Sequence, residues 1–146
     1  MSKVDQFWYD YCVENNKEGL NYKEAFQFGS SADWLAEMVV EGKKTATTSG
    51  FLFYEIENAE LPKAEEYYIV LDGRNEPVAV IEIQSVEVVP MNEVTEEFAL
   101  AEGLDSYQYW WDAHEKFFTD ALKEYNLAFS PEMLVVCERF RKVYPL

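Results

Sequence analysis

Residues 78–88 constrain this chain most. In an extended segment successive side chains point to opposite faces. Val78, Val80, Glu82, Gln84, Val86 and Val88 then line one face, and Ala79, Ile81, Ile83, Ser85, Glu87 and Val89 line the other. Both faces are mostly apolar. A strand apolar on both sides must be covered on both sides, which predicts a sheet enclosed by other elements and requires partners for Glu82 and Gln84. Glu82 reads either as an acid facing a cleft or as one at a barrel rim, bonded to backbone or solvent. Asp72, Gly73, Arg74 and Asn75 form a turn signal between this strand and the apolar run 67–71, so the two are expected to pair as a hairpin.

The rest of the chain supplies the cover. Val4, Phe7, Trp8, Tyr11 and Cys12 recur at helical spacing. A short aromatic segment, 22–28, is expected to be extended, with Gly29, Ser30 and Ser31 breaking it and capping a helix through residue 40. Thr95 can cap a helix over 96–102 that ends at Gly103. Ser106 can cap a longer helix to about residue 125, with Trp110, Ala113, Phe117, Ala121 and Leu122 on its apolar face and His114, Phe118 and Tyr125 beside them. The sole histidine, His114, therefore reads first as a satisfied core residue, and Trp110 as packing before base stacking. Residues 133–143 form a last strand with Leu134, Val136, Glu138 and Phe140 on one face. The aromatic run Phe51, Leu52, Phe53, Tyr54 extends a strand begun at Thr45 as far as Glu57.

A length of 146 residues suits one domain, 1–146, and 49% hydrophobic content excludes disorder. No apolar run approaches a membrane span, and the first residues lack a secretion signal, so a cytoplasmic location is expected. Cys12 and Cys137 are expected to be buried free thiols. Twelve basic against twenty-eight acidic residues give a formal net charge of −16. Long nucleic acids draw their affinity from phosphate neutralisation, so they are not expected as partners. Lys43, Lys44, Arg139, Arg141 and Lys142 leave room for a local basic patch and short RNA.

The stretch 41–53, EGKKTATTSGFLF, sets two ammonium groups before a run of hydroxyls. Gly42 falls where a left-handed helix cap is expected. A lysine whose pKa is lowered by burial can take the proton of a threonine hydroxyl and make it a nucleophile. Alternatively, the ammonium and hydroxyls can hold a phosphate or nucleobase edge without reacting, or serve only as a helix cap and a β-branched strand. Glu102 is misplaced for the helix dipole, since an acid in a last turn meets its negative end, and a nearby lysine would compensate. Glu138, which interrupts an apolar row, is either a structural acid or a second carboxylate near Lys43 and Lys44. No CxxC, HExxH, GxGxxG or P-loop spacing is present, so no metal or other cofactor is expected.

The segments GKKTATTS, VTEEFALAEG, YWWDAHEKFF and SPEMLVVCERFRKVYP, in this order from about Phe26 to Pro145, resemble the ASCH domain family and its bacterial single-domain branch. The resemblance implies an α+β, PUA-like fold, a small β-barrel with flanking helices, and a cleft associated with RNA or modified nucleosides. Some small ASCH proteins share the G-x-K-x-x-T pattern and act as N4-acetylcytidine amidohydrolases through a lysine, a threonine and a glutamate. Carried over, these are Lys44 as base, Thr47 as nucleophile and Glu102 as the residue that orients the lysine or binds substrate. Lys43, Ser49, Glu82, Glu138 and Arg139 are the candidate substrate contacts. Ser49 and Asp112 stand where this branch is expected to carry basic residues, which favours a small nucleoside over RNA. The activity implied is hydrolysis of an N4-acylated cytosine nucleoside or similar amide; the alternative is a non-catalytic ASCH domain binding RNA or a nucleotide.

Overall fold

A computed structural model describes residues 1–29 and 31–146. Ser30, assigned above to the break before a helix, lies outside the described residues. The chain folds as α1 (Lys3–Asn15), β1 (Glu24–Gln27), α2 (Ala32–Val40), β2 (Ala46–Gly50), α3 (Phe51–Glu57), β3 (Tyr67–Leu71), β4 (Pro77–Pro90), α4 (Glu96–Ala101), α5 (Tyr107–Lys123) and β5 (Leu134–Tyr144). One five-stranded sheet, in the order β1-β3-β4-β5-β2, curls into a half-barrel with helices around it. β1 runs parallel to β3 and the other pairings are antiparallel. The fold is α+β, as expected.

The 78–88 segment lies within β4, the strand on which the sheet is built. β3 and β4 form the expected hairpin, with Tyr67 opposite Glu82 and Val70 opposite Ala79. Along β4 and β5 the register shifts at Val80/Ile81 and at Ile83/Ser85, and irregularities of this kind bend a long strand pair. The two faces of β4 enter different cores. Ala79, Ile81 and Ile83 pack with Phe28, Val39 and Phe140, while Val80 packs with Ile69, Trp8 and Tyr11 under α1. Enclosure on both sides ends at Ile83; Gln84, expected to be enclosed, is exposed, as are Ser85 and Glu87. A third core joins Trp110, Phe118 and Leu122 of α5 to Phe98, Val135 and Cys137.

Helix ends follow the expected chemistry where a side chain can supply it. Ser2, Thr95 and Ser106 each accept a hydrogen bond from the backbone N–H three residues on. Ser31 is different: it sits at φ +61° and its hydroxyl makes no cap bond to α2. Two other expectations are corrected. Residues 51–57, read as strand from their aromatic content, are helix α3. The helical turn sets the Phe53 ring 6.4 Å from Phe118 and 6.1 Å from Tyr125, and Asn58, at φ +54°, ends it. Gly50 permits this, because a Cβ there would lie 2.6 Å from the Phe53 ring. Tertiary packing thus overrides β propensity. On α5, Phe117 is not part of the packed stripe but is 45% exposed; Trp110, Phe118 and Leu122 carry the core.

Both thiols are free, Cys137 buried and Cys12 only half-buried. Among the described residues no helix is long and apolar enough to cross a membrane.

Candidate active site

The end of α2 separates the two lysines. Gly42 takes φ +79°, and the backbone N–H groups of Lys43 and Lys44 both donate to the Met38 carbonyl, at 2.9 and 3.1 Å. Lys43 then points outward, 68% exposed and 3.8 Å from Glu41. Lys44 turns inward and its side chain is 3% exposed. Its Nζ donates to the Ala46 carbonyl at 2.8 Å and to Glu102 Oε1 at 3.3 Å, and lies 4.9 Å from the centre of the Phe28 ring. Burial lowers the Lys44 pKa from its ordinary value, against the opposing pull of Glu102 and Glu138.

Glu102 follows the last residue of α4, where the dipole disfavours an acid. Four side chains compensate. Its Oε2 accepts from Thr48 Oγ1 and from Trp110 Nε1, each at 2.6 Å; its Oε1 accepts from Lys44 and lies 3.6 Å from His114 Nε2. Burial alone would raise the Glu102 pKa, but the hydrogen bond from His114, the charge of Lys44 and the Thr48 bond hold it down to about 2. The group is therefore an anion at neutral pH. His114 Nδ1 lies 2.7 Å from the Trp110 carbonyl, and Nε2 is the nitrogen turned toward Glu102.

The hydroxyl run divides by strand alternation. Ala46 and Thr48 face α4 and α5, where Ala46 joins the Trp110 core and Thr48 meets Glu102. Thr47 and Ser49 face the inside of the half-barrel. Thr47 stands directly opposite Glu138 in the pairing of β2 with β5, and Ser49 bonds the Tyr54 hydroxyl at 3.0 Å. Thr45 is tied to α4 by its N–H, 2.7 Å from the Ala101 carbonyl.

Two cavities meet at this strand. The smaller, of about 160 Å3, is lined by Lys44, Thr47, Thr48, Glu102 and His114, with Trp34, Tyr109 and Phe117 at its rim. The larger, of about 640 Å3, occupies the concave side of the sheet and is lined by Thr47, Ser49, Glu138, Ile81 and Ile83 under the rings of Phe53 and Tyr68. Phe28, Gly29, Thr47, Thr48 and Phe117 border both. Gly29 lets the Phe117 ring close over that junction, since a Cβ there would lie 2.8 Å from the ring edge.

Of the candidate residues, the structure brings together Lys44, Thr47, Glu102, Ser49 and Glu138. It does not bring Lys43, Glu82 or Arg139 to either cavity. Glu82 lies on the face of β4 opposite Ile81 and Ile83, where Arg141 at 2.9 Å and the Tyr67 hydroxyl at 3.3 Å bond it. It faces neither cavity, and its partners are side chains and not the backbone or solvent expected for an acid at a barrel rim. Arg139 makes a two-pronged pair with Glu97, at 2.7 and 3.0 Å, beside the ring of Phe98. Lys142 donates to the Val40 carbonyl. The anticipated basic patch is thus dispersed into separate pairs, and Lys44 is the one basic residue among those lining the cavities, His114 apart. Sequence reasoning missed Thr48 as a ligand of Glu102, although alternation along 46–50 separates it from Thr47. It also missed the exposed aromatic rim, whose signal was Trp34 and Tyr109 standing off their helices' apolar stripes.

Among the described residues no group of three or more His, Cys, Asp or Glu side chains is arranged to hold a metal ion. Burial pushes the Cys137 thiol up to about 12, so it is no nucleophile at neutral pH.

The ASCH domain model matches residues 24–144. The chain belongs to the ASCH domain family. Its fold superimposes on an ASCH domain structure from Lactobacillus crispatus JV V101 with a TM-score of 0.92 at 28% identity, covering 98% of this chain and 95% of that one. A DUF984 protein, EF3133 from Enterococcus faecalis V583, is 42% identical with a TM-score of 0.88, over 97% of this chain and 88% of its own. No curated protein matches the sequence. The family match begins at β1, so α1 lies outside it. The Lys44, Thr47 and Glu102 constellation lies wholly inside the ASCH domain.

Proposed function

We propose that this ASCH domain is an amidohydrolase for a small N-acylated heteroaromatic amide, of which an N4-acylated cytosine nucleoside is the type. The observation that carries the reading is Lys44: a 3% exposed ammonium with a lowered pKa, at the wall of a cavity where a threonine hydroxyl also opens. Thr48 is committed to Glu102, which as a carboxylate can only accept, so Thr47 is the hydroxyl free to attack. The neutral fraction of Lys44, enlarged by its lowered pKa, takes the Thr47 proton as Oγ bonds to the acyl carbon, and the lysine then returns the proton to the amine as the C–N bond breaks. Water, deprotonated by the same lysine, attacks the acyl carbon, and the lysine returns that proton to Thr47 Oγ as the C–Oγ bond breaks and the acid leaves. Glu102 orients Lys44 while staying charged. The exposed ring of Phe117, at the junction of the two cavities, suits a planar substrate entering from solvent.

The test is incubation with N4-acetylcytosine, N4-acetylcytidine and N4-acetylcytidine 5′-monophosphate, followed by separation of the products. Release of acetate from at least one is expected. Lys44→Arg should abolish turnover with the melting temperature nearly unchanged, because a guanidinium stays protonated. Thr47→Ser should keep a fraction of the activity and Thr47→Val none. Wild-type turnover in Lys44→Arg would overturn the acid–base role and leave a binding module for RNA or a nucleotide.

A further inference from the structure

The larger cavity is unlike the Lys44 pocket in its charge. Its walls are aromatic, with Phe26, Phe28, Phe53, Tyr54, Tyr68 and Tyr125 around it. Its charged residues are Glu24, Glu57, Glu60, Glu124 and Glu138, with no lysine or arginine among the lining side chains. Glu138 lies deepest. Its carboxyl has no hydrogen-bond or ion-pair partner given by the described residues, and burial raises its pKa to about 7 in spite of Lys44. Tyr54 is held above its ordinary pKa by burial and then by the charges of Glu138, Glu24 and Glu57, which places those acids around a common space. Acids of one sign along a cleft with apolar walls focus their field into it, and the faces of aromatic rings add to the attraction for a cation.

We propose that this cavity is a cation-accepting chamber: it takes the part of the substrate that leaves as the amine, prefers a positively charged group there, and excludes phosphate. The inference rests on the amidohydrolase reading for which end of the substrate enters, but the preference for charge stands on the chamber alone. The small pocket beside Lys44 and Thr47 then receives the acyl group. The remainder passes between Gly29, Thr47 and Phe117 into the larger space, where the acids of α3 and α5 meet it.

Charge and chemistry are tested separately. Three probes sharing one ring, benzylammonium, benzyl alcohol and benzyl phosphate, are titrated into the intact protein while backbone and aromatic NMR shifts are followed. Benzylammonium is expected to perturb Tyr54, Tyr68 and Phe53 and to bind at least tenfold more tightly than the alcohol, with the phosphate weakest. Glu57→Gln combined with Glu124→Gln, both exposed positions, should shrink that ratio several-fold without altering the fold. Equal affinity for the three probes, or a preference for the phosphate, would overturn the chamber. The same conclusion follows if N4-acetylcytidine 5′-monophosphate is cleaved as fast as N4-acetylcytidine. Preferential benzylammonium binding with no cleavage of any acetylated cytosine would instead retain the chamber and reject the hydrolase.

Discussion

Glu102 and Glu138 stand on either side of Lys44, both withdrawn from solvent, and they are driven in opposite directions. The Glu102 carboxyl is held down to about 2 and the Glu138 carboxyl is raised to about 7. Burial acts on both in the same sense, toward the neutral acid. The difference lies in partners: Glu102 receives Thr48, Trp110 and Lys44, with His114 adjacent, whereas Glu138 faces an open cavity and gains only the more distant attraction of Lys44. Donated hydrogen bonds, and not depth, decide which carboxyl is an anion. One carboxyl is therefore held as a fixed anion, and the other changes charge near neutral pH.

The largest effect is expected from removing the fixed anion. Glu102→Ala strands Lys44 as an unpaired buried charge and leaves Trp110 Nε1 and Thr48 without their acceptor. A loss of about 3–5 kcal/mol is expected in urea or thermal unfolding. A loss under about 1 kcal/mol would mean that Lys44 is neutral in the folded protein and that the pair carries little.

Trp110→Phe keeps the packing of a fully buried ring and deletes one charge-assisted bond to Glu102. About 2 kcal/mol of stability should go, the value for a hydrogen bond to a charged group. Acid sensitivity should also change. The folded pKa of Glu102 lies below its unfolded value of 4.5, so its contribution is present above about pH 4.5 and is lost as pH falls through about 2. Trp110→Phe should move that loss to higher pH, read as an earlier acid midpoint by fluorescence of the remaining tryptophans.

Glu138 carries the opposite sign. Its folded pKa is above the unfolded one, so its contribution is full below about pH 4.5 and is lost as pH rises through about 7. The charged groups that bear on it are Lys44, Glu102 and Glu66, with the hydroxyls of Tyr54 and Tyr68 nearby. Glu138→Gln should flatten the fall in melting temperature across that window by the equivalent of about 1–2 kcal/mol, less than the roughly 3 kcal/mol of the whole shift because the carboxyl borders an open cavity. An unchanged slope would show that the cavity hydrates Glu138 as well as bulk water does.

The smallest effect should come from Arg139→Ala. The Arg139 pair with Glu97 is well shaped but exposed, at 41% and 72% for the two side chains, so solvent screens it and the melting temperature should barely move. It should leave turnover in place, since Arg139 reaches neither cavity.

Much of this comparison was legible in the sequence, and for local reasons. Gly42 announced the turn that ends α2, Thr95 and Ser106 announced helix starts, and Asp72 to Asn75 announced the hairpin. An acid at the wrong end of a dipole marked Glu102 as needing a distant cation. The family pattern named Lys44, Thr47 and Glu102 together. Where the reading failed, a long-range contact had decided the outcome: α3 is helical because Phe53 packs on Phe118, and Phe117 leaves its stripe because it closes over Gly29.

The sequence by itself determined where helices start and end and where the hairpin turns, because caps and turns are properties of neighbours a few residues apart. Strand alternation puts Thr47 and Thr48 on opposite faces of β2. Only the tertiary structure decided their roles. Pairing β2 with β5 put Thr47 opposite Glu138 in an open cavity, and docking α4 and α5 against β2 gave Thr48 to Glu102. The charge of Glu102 depends on donors from three separate elements, two of them more than fifty residues away in the chain, and on the solvent they displace. Neither is written in the spacing of the residues that bear it.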